Sequence, residues 1–171
     1  MVDTATAAIS QIALLLTVLA GFVFVLAQAD GADRPIARYR ATSMLIFAVG
    51  AAFALKLPIL FQKWGFVPTT IWTSSSIGLA IILLINVGLI AWTSKLLLTE
   101  IGQNKTDHWV WQLFIISNAA LILCLSIMLA LQFIKGFSVS LLVLTSLFFA
   151  AVLWQISMSI YLFRQVIVER V

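Results

Sequence analysis

The chain has 171 residues, of which 63% are hydrophobic and only 9% charged; a soluble domain carries about 25% charged residues, and a surface this apolar would aggregate in water. Its net charge of +4 does not point to nucleic acid, because ten Lys and Arg scattered among apolar stretches make no continuous phosphate-binding stripe. Lipid is the solvent that fits, and the composition predicts an all-α integral membrane protein.

A helix needs about 20 mainly apolar residues to cross the hydrocarbon core, because its backbone hydrogen bonds must close internally where water is absent. Five stretches meet that length, so the sequence predicts a single polytopic bundle with about five spans. The first runs from Ala7 to Ala29. It ends on Ala27-Gln28-Ala29, which has the small-x-small form of a cleavage site, but no Lys or Arg precedes it and its apolar run exceeds a signal peptide's usual length of about 7 to 15 residues. It is expected to be a retained span. A polar connection from Asp30 to Pro35 follows, in which Asp30 and Arg34 are spaced to pair across one helical turn.

The second span runs from Ala41 to Phe61 and is preceded by Arg38, Tyr39 and Arg40. With Arg34 these form a basic and aromatic edge that either anchors the span or contacts anionic lipid headgroups. Ala48, Gly50, Ala51, Ala52 and Ala54 give this span a small-residue face suited to close helix packing, and so to self-association or a membrane partner. Lys56 is an ammonium inside an apolar run. It either lines a pathway or snorkels toward the headgroups near Trp64, about one and a half turns away. Pro58 should kink the span and free a carbonyl near position 54, the start of a local polar pocket.

The third span, Thr70 to Trp92, should continue beyond the membrane surface, since Ser94 to Ile101 keeps an amphipathic helical pattern. Gly102 is placed to close it and Asp107 to cap the next helix. The fourth and fifth spans, Trp109 to Phe133 and Ser138 to Phe163, are joined through Lys135-Gly136, the only connection that reads as tight, and should pack side by side as a hairpin.

Short cationic connections are retained on the cytoplasmic side. Arg34, Arg38, Arg40, Lys95, Lys105, Arg164 and Arg170 fall on one side, against Lys63, Lys135 and the ambiguous Lys56 on the other. The N-terminus is therefore expected outside and the C-terminus inside. Tyr39, Trp92, Trp109, Trp111 and Tyr161 would anchor the inner surface, Trp64 and Trp72 the outer. With that topology, Asn86, Asn118 and Gln155 each lie about six to ten residues from the inner surface, roughly 10 to 15 Å deep. Three amides at one depth either fasten the helices by hydrogen bonds or line a hydrated pathway.

Catalysis finds little to work with. The six acidic residues, Asp3, Asp30, Asp33, Glu100, Asp107 and Glu169, all lie outside the spans, which also argues against a proton-coupled transporter. A lone histidine, His108, cannot supply an axial haem pair, and the single cysteine, Cys124, builds no iron-sulfur or zinc cluster and no intramolecular disulfide. Asp30-Gly31-Ala32-Asp33-Arg34 superficially resembles the aspartate-rich start of phospholipid-synthesising alcohol phosphotransferases, but the following pair of aspartates is missing. No enzyme and no cofactor is expected, with a lipid-modifying activity the most distant alternative and a small channel the nearer one.

Gly21-Phe22, Arg38-x-Arg40, Leu57-Pro58, Ile71-Trp72 with Ser74-Ser75, and Phe163-Arg164 follow one another along the chain in a pattern that resembles a group of small bacterial multi-span inner-membrane proteins of about this length. The resemblance covers most of the chain and implies a bacterial inner membrane. It brings no activity with it, because none is assigned to that group.

Overall fold

The computed structural model describes residues 4–29, 35–101, 105–132 and 141–168, with side chains described over 7–27, 37–92, 115–131 and 142–166. Five helices account for nearly all of it: α1 (Thr4–Ala29), α2 (Pro35–Lys63), α3 (Pro68–Ile101), α4 (Lys105–Gln132) and α5 (Leu141–Val168). There is no strand among the described residues. Four helices are long and apolar enough to cross a bilayer, over Ala7–Ala27, Ala37–Lys63, Pro68–Trp92 and Leu142–Val166. In α4 the apolar stretch with described side chains is Ile115–Leu131.

Both α2 and α3 open on a proline, where the missing N–H has no helical acceptor to lose and φ is already set. Helix α2 continues through Pro58 to Lys63. Helix α3 runs past Trp92 to Ile101, as its amphipathic tail predicts. Helix α4 begins at Lys105, so Asp107 lies within its first turn instead of ahead of it; Gly102 and the Asp30–Arg34 pair lie outside the described residues.

Lys135-Gly136, which reads from sequence as the tight connection, lies outside the described residues, whereas the connection between α2 and α3 is four residues long and lies wholly within them. Its closure follows from Gly65, at φ 78° in the left-handed region that a Cβ disfavours. The Gly65 N–H donates to the Gln62 carbonyl at 3.0 Å and the Phe66 N–H to the Phe61 carbonyl at 3.3 Å, the paired bonds of a Schellman cap. The hydrophobic contact that accompanies such a cap is here a stack of Phe66 on Phe61, with centroids 5.7 Å apart, and Trp64 meets both rings edge-on. Helix α3 then starts with the Ile71 N–H on the Val67 carbonyl at 3.0 Å.

Helix α2 is the centre of the bundle, packed on by α1, α3 and α5. Contacts fix their directions. Thr17 meets Ala48, Ser159 meets Met44, and Gly50 faces Asn86 and Gln155, while Trp72 packs on Phe148. Helices α1, α3 and α5 therefore all run opposite to α2, which puts the start of α1 and the end of α5 at opposite ends. Helix α4 sits at the edge, mainly on α3. Among the described residues α4 is the helix that α5 meets least, so α5 packs chiefly on α2 and not as a side-by-side hairpin with α4. A short connection brings two helix ends together, but which faces meet is decided by shape, and the aromatic and small residues of α5 fit the α2–α3 junction.

That fit explains Trp72, read from sequence as an outer anchor. It is half-buried, with its ring 5.6 Å from Phe148 edge-on and 5.7 Å from Phe149. The small-residue face of α2 is also used within the chain: Ala48, Gly50, Ala51 and Ala54 are buried and Ala52 is half-buried. It is not a surface left open for a partner.

Candidate functional site

The core divides into two apolar clusters. One gathers Ala41, Met44, Phe47 and Ala48 of α2 with Val23, Ile90, Met158 and Leu162. The other gathers Ala51, Ala54 and Leu55 of α2 with Ala13, Leu79, Leu83, Phe148 and Val152. Gly50 lies between the α2 members of the two clusters, as Asn86 lies between Leu83 and Ile90 on α3 and Gln155 between Val152 and Met158 on α5. The Asn86–Gln155 pair is thus a polar seam between two apolar clusters.

Within it, Asn86 Nδ2 donates to Gln155 Oε1 at 3.4 Å, a long bond. Asn86 is 4% exposed and Gln155 fully buried. Room for the pair comes from Gly50. A Cβ at that position would stand 2.5 Å from Asn86 Nδ2, 2.7 Å from Gln155 Oε1 and 3.2 Å from Ile82 Cγ2. Only a residue without a side chain allows α2 to approach the two amides this closely; along the sequence Gly50 reads as one member of a helix-packing face, with nothing to mark what it accommodates. Gln155 Nε2 and the neighbouring Trp154 Nε1 are buried with no acceptor among the described residues. Asn118, the third amide, is fully buried on α4.

Two further polar ties converge on α2, and neither is visible as a motif. Thr17 Oγ1 donates to the Ala13 carbonyl of its own helix at 2.8 Å and is 3.1 Å from the Ala48 carbonyl. Ser159 Oγ donates to the Met44 carbonyl at 3.2 Å. Carbonyls one turn apart on α2 therefore accept from α1 and from α5. Hydroxyls in apolar helices ordinarily look inward to their own backbone, so only the three-dimensional neighbourhood identifies those that reach across.

Lys56 is exposed on the outside of the bundle, on a different face from the amides. It shares that outward stripe with Phe53 and Leu60. Arg38 and Arg40 are half-buried in the first turns of α2, beside the buried Tyr39, while Arg34 lies outside the described residues. The site residues named from sequence thus separate into an interior Asn86–Gln155 pair, Asn118 buried on α4, an outward lysine, and a basic helix start.

Comparison with protein-family models, with curated proteins and with solved structures finds no match.

Proposed function

We propose that the protein is a non-enzymatic component of a bacterial inner membrane, crossing it five times with the N-terminus outside and the C-terminus inside. It works by association with a second copy or another membrane protein, and its amide seam fastens the helices. The observation that carries this reading is the enclosure of the Asn86–Gln155 pair, held against Gly50 and bounded on both sides by apolar clusters whose members are almost wholly buried. A conduit needs a continuous polar or hydrated lining, and neutral amides bonded to each other in a dry core are instead the usual glue between membrane helices. The direction of insertion rests on the excess of Lys and Arg on one side. Because the small-residue face of α2 is taken up inside the chain, a partner would meet the outer faces of α1, α3, α4 or α5, all of which expose large apolar residues.

Purified protein in liposomes is expected to pass no cation or anion faster than empty vesicles. A flux that Asn86→Leu or Gln155→Leu alters would replace this reading with a channel. Incubation with labelled phospholipid is expected to leave the lipid unchanged. In intact cells, a cysteine at Thr4 should react with an impermeant reagent once Cys124 is replaced by Ala, and one at Lys105 should not. The reverse pattern would overturn the orientation. Cross-linking in the membrane should give a discrete larger species, and recovery of monomer alone would remove association.

A further inference from the structure

We infer that the outward stripe of α2 from Phe53 to Lys63 is a binding groove for an anionic phospholipid, with Lys56 and Lys63 on its phosphate. The inference rests on the bilayer embedding of the bundle and on nothing about conduction or association.

Four observations meet there. First, α1 and α3 both pack on α2 but, among the described residues, make no contact with each other, and α5, which touches all three, covers only one side of α2. The opposite side of α2 is left as the floor of a gap between α1 and α3. Second, that floor carries Phe53, Lys56, Leu60 and Lys63, all exposed. Their spacing of three, four and three residues keeps them on one helical face. Third, the stripe ends at the α2–α3 turn, where Trp64 is 61% exposed and Phe66 42% exposed on the ring cluster with Phe61. Exposed aromatic rings beside a lysine mark the headgroup level of a bilayer. Fourth, neither lysine has an acidic partner among the described residues, and neither bonds to another side chain there.

The depths make the pair cooperate. Seven residues separate Lys56 from Lys63, so the deeper backbone position lies about 10 Å below the surface one. A lysine stem spans much of that distance and carries its ammonium upward along an apolar wall, which Leu60 supplies. Two ammonium groups then approach one another near the headgroups. Two like charges converging in a region of falling dielectric need an anion between them, and a lipid phosphate is the anion present at that depth. Its acyl chain would lie down the gap, over Phe53.

The test uses the full chain in lipid nanodiscs with a trace of phosphatidylglycerol or phosphatidylcholine carrying a photoreactive headgroup, followed by peptide mapping. Phosphatidylglycerol should label the segment from Phe53 to Val67 in preference to phosphatidylcholine. Each lysine near an anionic surface favours binding about fivefold, so Lys56→Gln or Lys63→Gln should lower that labelling about fivefold and the double variant about twenty-five-fold. Lys56→Arg with Lys63→Arg should restore it, which separates lost charge from lost folding. Equal labelling by the two lipids, or labelling that survives the double Gln variant, overturns the site. Loss of labelling on adding millimolar inorganic phosphate would mean a free-anion site and overturn the lipid assignment. A protein that alkaline carbonate strips from vesicles would instead defeat the bilayer embedding itself, a different failure from an embedded protein with no lipid preference.

Discussion

Asn86 and Gln155 are buried at the junction of α2, α3 and α5, bonded to each other and pressed against a glycine, whereas Lys56, on the same α2, faces outward with Phe53 and Leu60. Both are polar groups inside apolar spans, but the amides pack against one face of α2 and Lys56 leaves α2 from another. The difference follows from what each can find as a partner. A neutral amide is both donor and acceptor and is satisfied by a second amide, so two of them tolerate a dry core. An ammonium only donates and needs a negative charge, and none of the six acidic residues of this chain lies within a span. The interior offers Lys56 nothing, so it sits where its stem can reach headgroups. Charge and neutrality thus sort polar residues between the axis and the rim of this bundle.

The sharpest way to break the comparison is to fill the space that the amides need. Gly50→Ala puts a methyl group 2.5 Å and 2.7 Å from the two amide atoms, both on side chains hemmed in by packed helices. It should destabilise the bundle by about 2 kcal/mol, within the range for overpacked cores. Reversible unfolding in mixed micelles would measure it. A loss below about 0.5 kcal/mol, the scale of an ordinary surface substitution, would mean that the amides move aside freely and are no fixed seam. A smaller effect is expected at the α2–α3 turn, which holds the outward stripe in place. Gly65→Ala forces a Cβ into the left-handed region and should cost about 1 kcal/mol by the same assay. Gly65→Asn should recover part of that, because Asn tolerates this conformation better than Ala.

Much of the architecture was legible because a lipid solvent leaves few choices. Apolar runs of spanning length between polar connections fix helices almost by count, and α3 shows its extension past Trp92 in its own residues. The shared depth of Asn86 and Gln155 was also legible, since depth is distance along a helix from its end. What sequence did not carry is which helix lies beside which. Gly50 looked like a packing residue for another chain because Ala48, Ala51 and Ala54 surround it, and nothing along α2 says that α5 closes over that face. The short Lys135-Gly136 connection suggested α4 as the partner of α5 for the same reason: chain distance was all there was to read. Trp72 has the position of an anchor and the surroundings of a core residue, and only Phe148 and Phe149 decide between them.

The amide bond itself should be weak in spite of its burial. Side-chain hydrogen bonds between membrane helices contribute about 0.6 kcal/mol on average, and at 3.4 Å this one is long. A double-mutant cycle with Asn86→Ala and Gln155→Ala should return a coupling of about 0.6 kcal/mol. A value near zero would assign the seam's contribution to the shape around Gly50 alone.

At the rim, Lys56→Leu should change unfolding stability by less than about 0.5 kcal/mol, as expected for a residue that supports no packing. An interior lysine behaves otherwise. Buried between helices, it would hold a compensating group, and its replacement would leave that group unmatched and move stability by several times this amount. Insertion efficiency gives the second measure. Leucine is favoured over lysine in a span by roughly 3 kcal/mol at the centre of a helix, a difference that shrinks as the charged group approaches the interface. If the Lys56 ammonium reaches the headgroups, Lys56→Leu should improve insertion of the second span by much less than that central value. A gain near the full figure would place the charge in the hydrocarbon without a phosphate and dissolve the contrast between axis and rim.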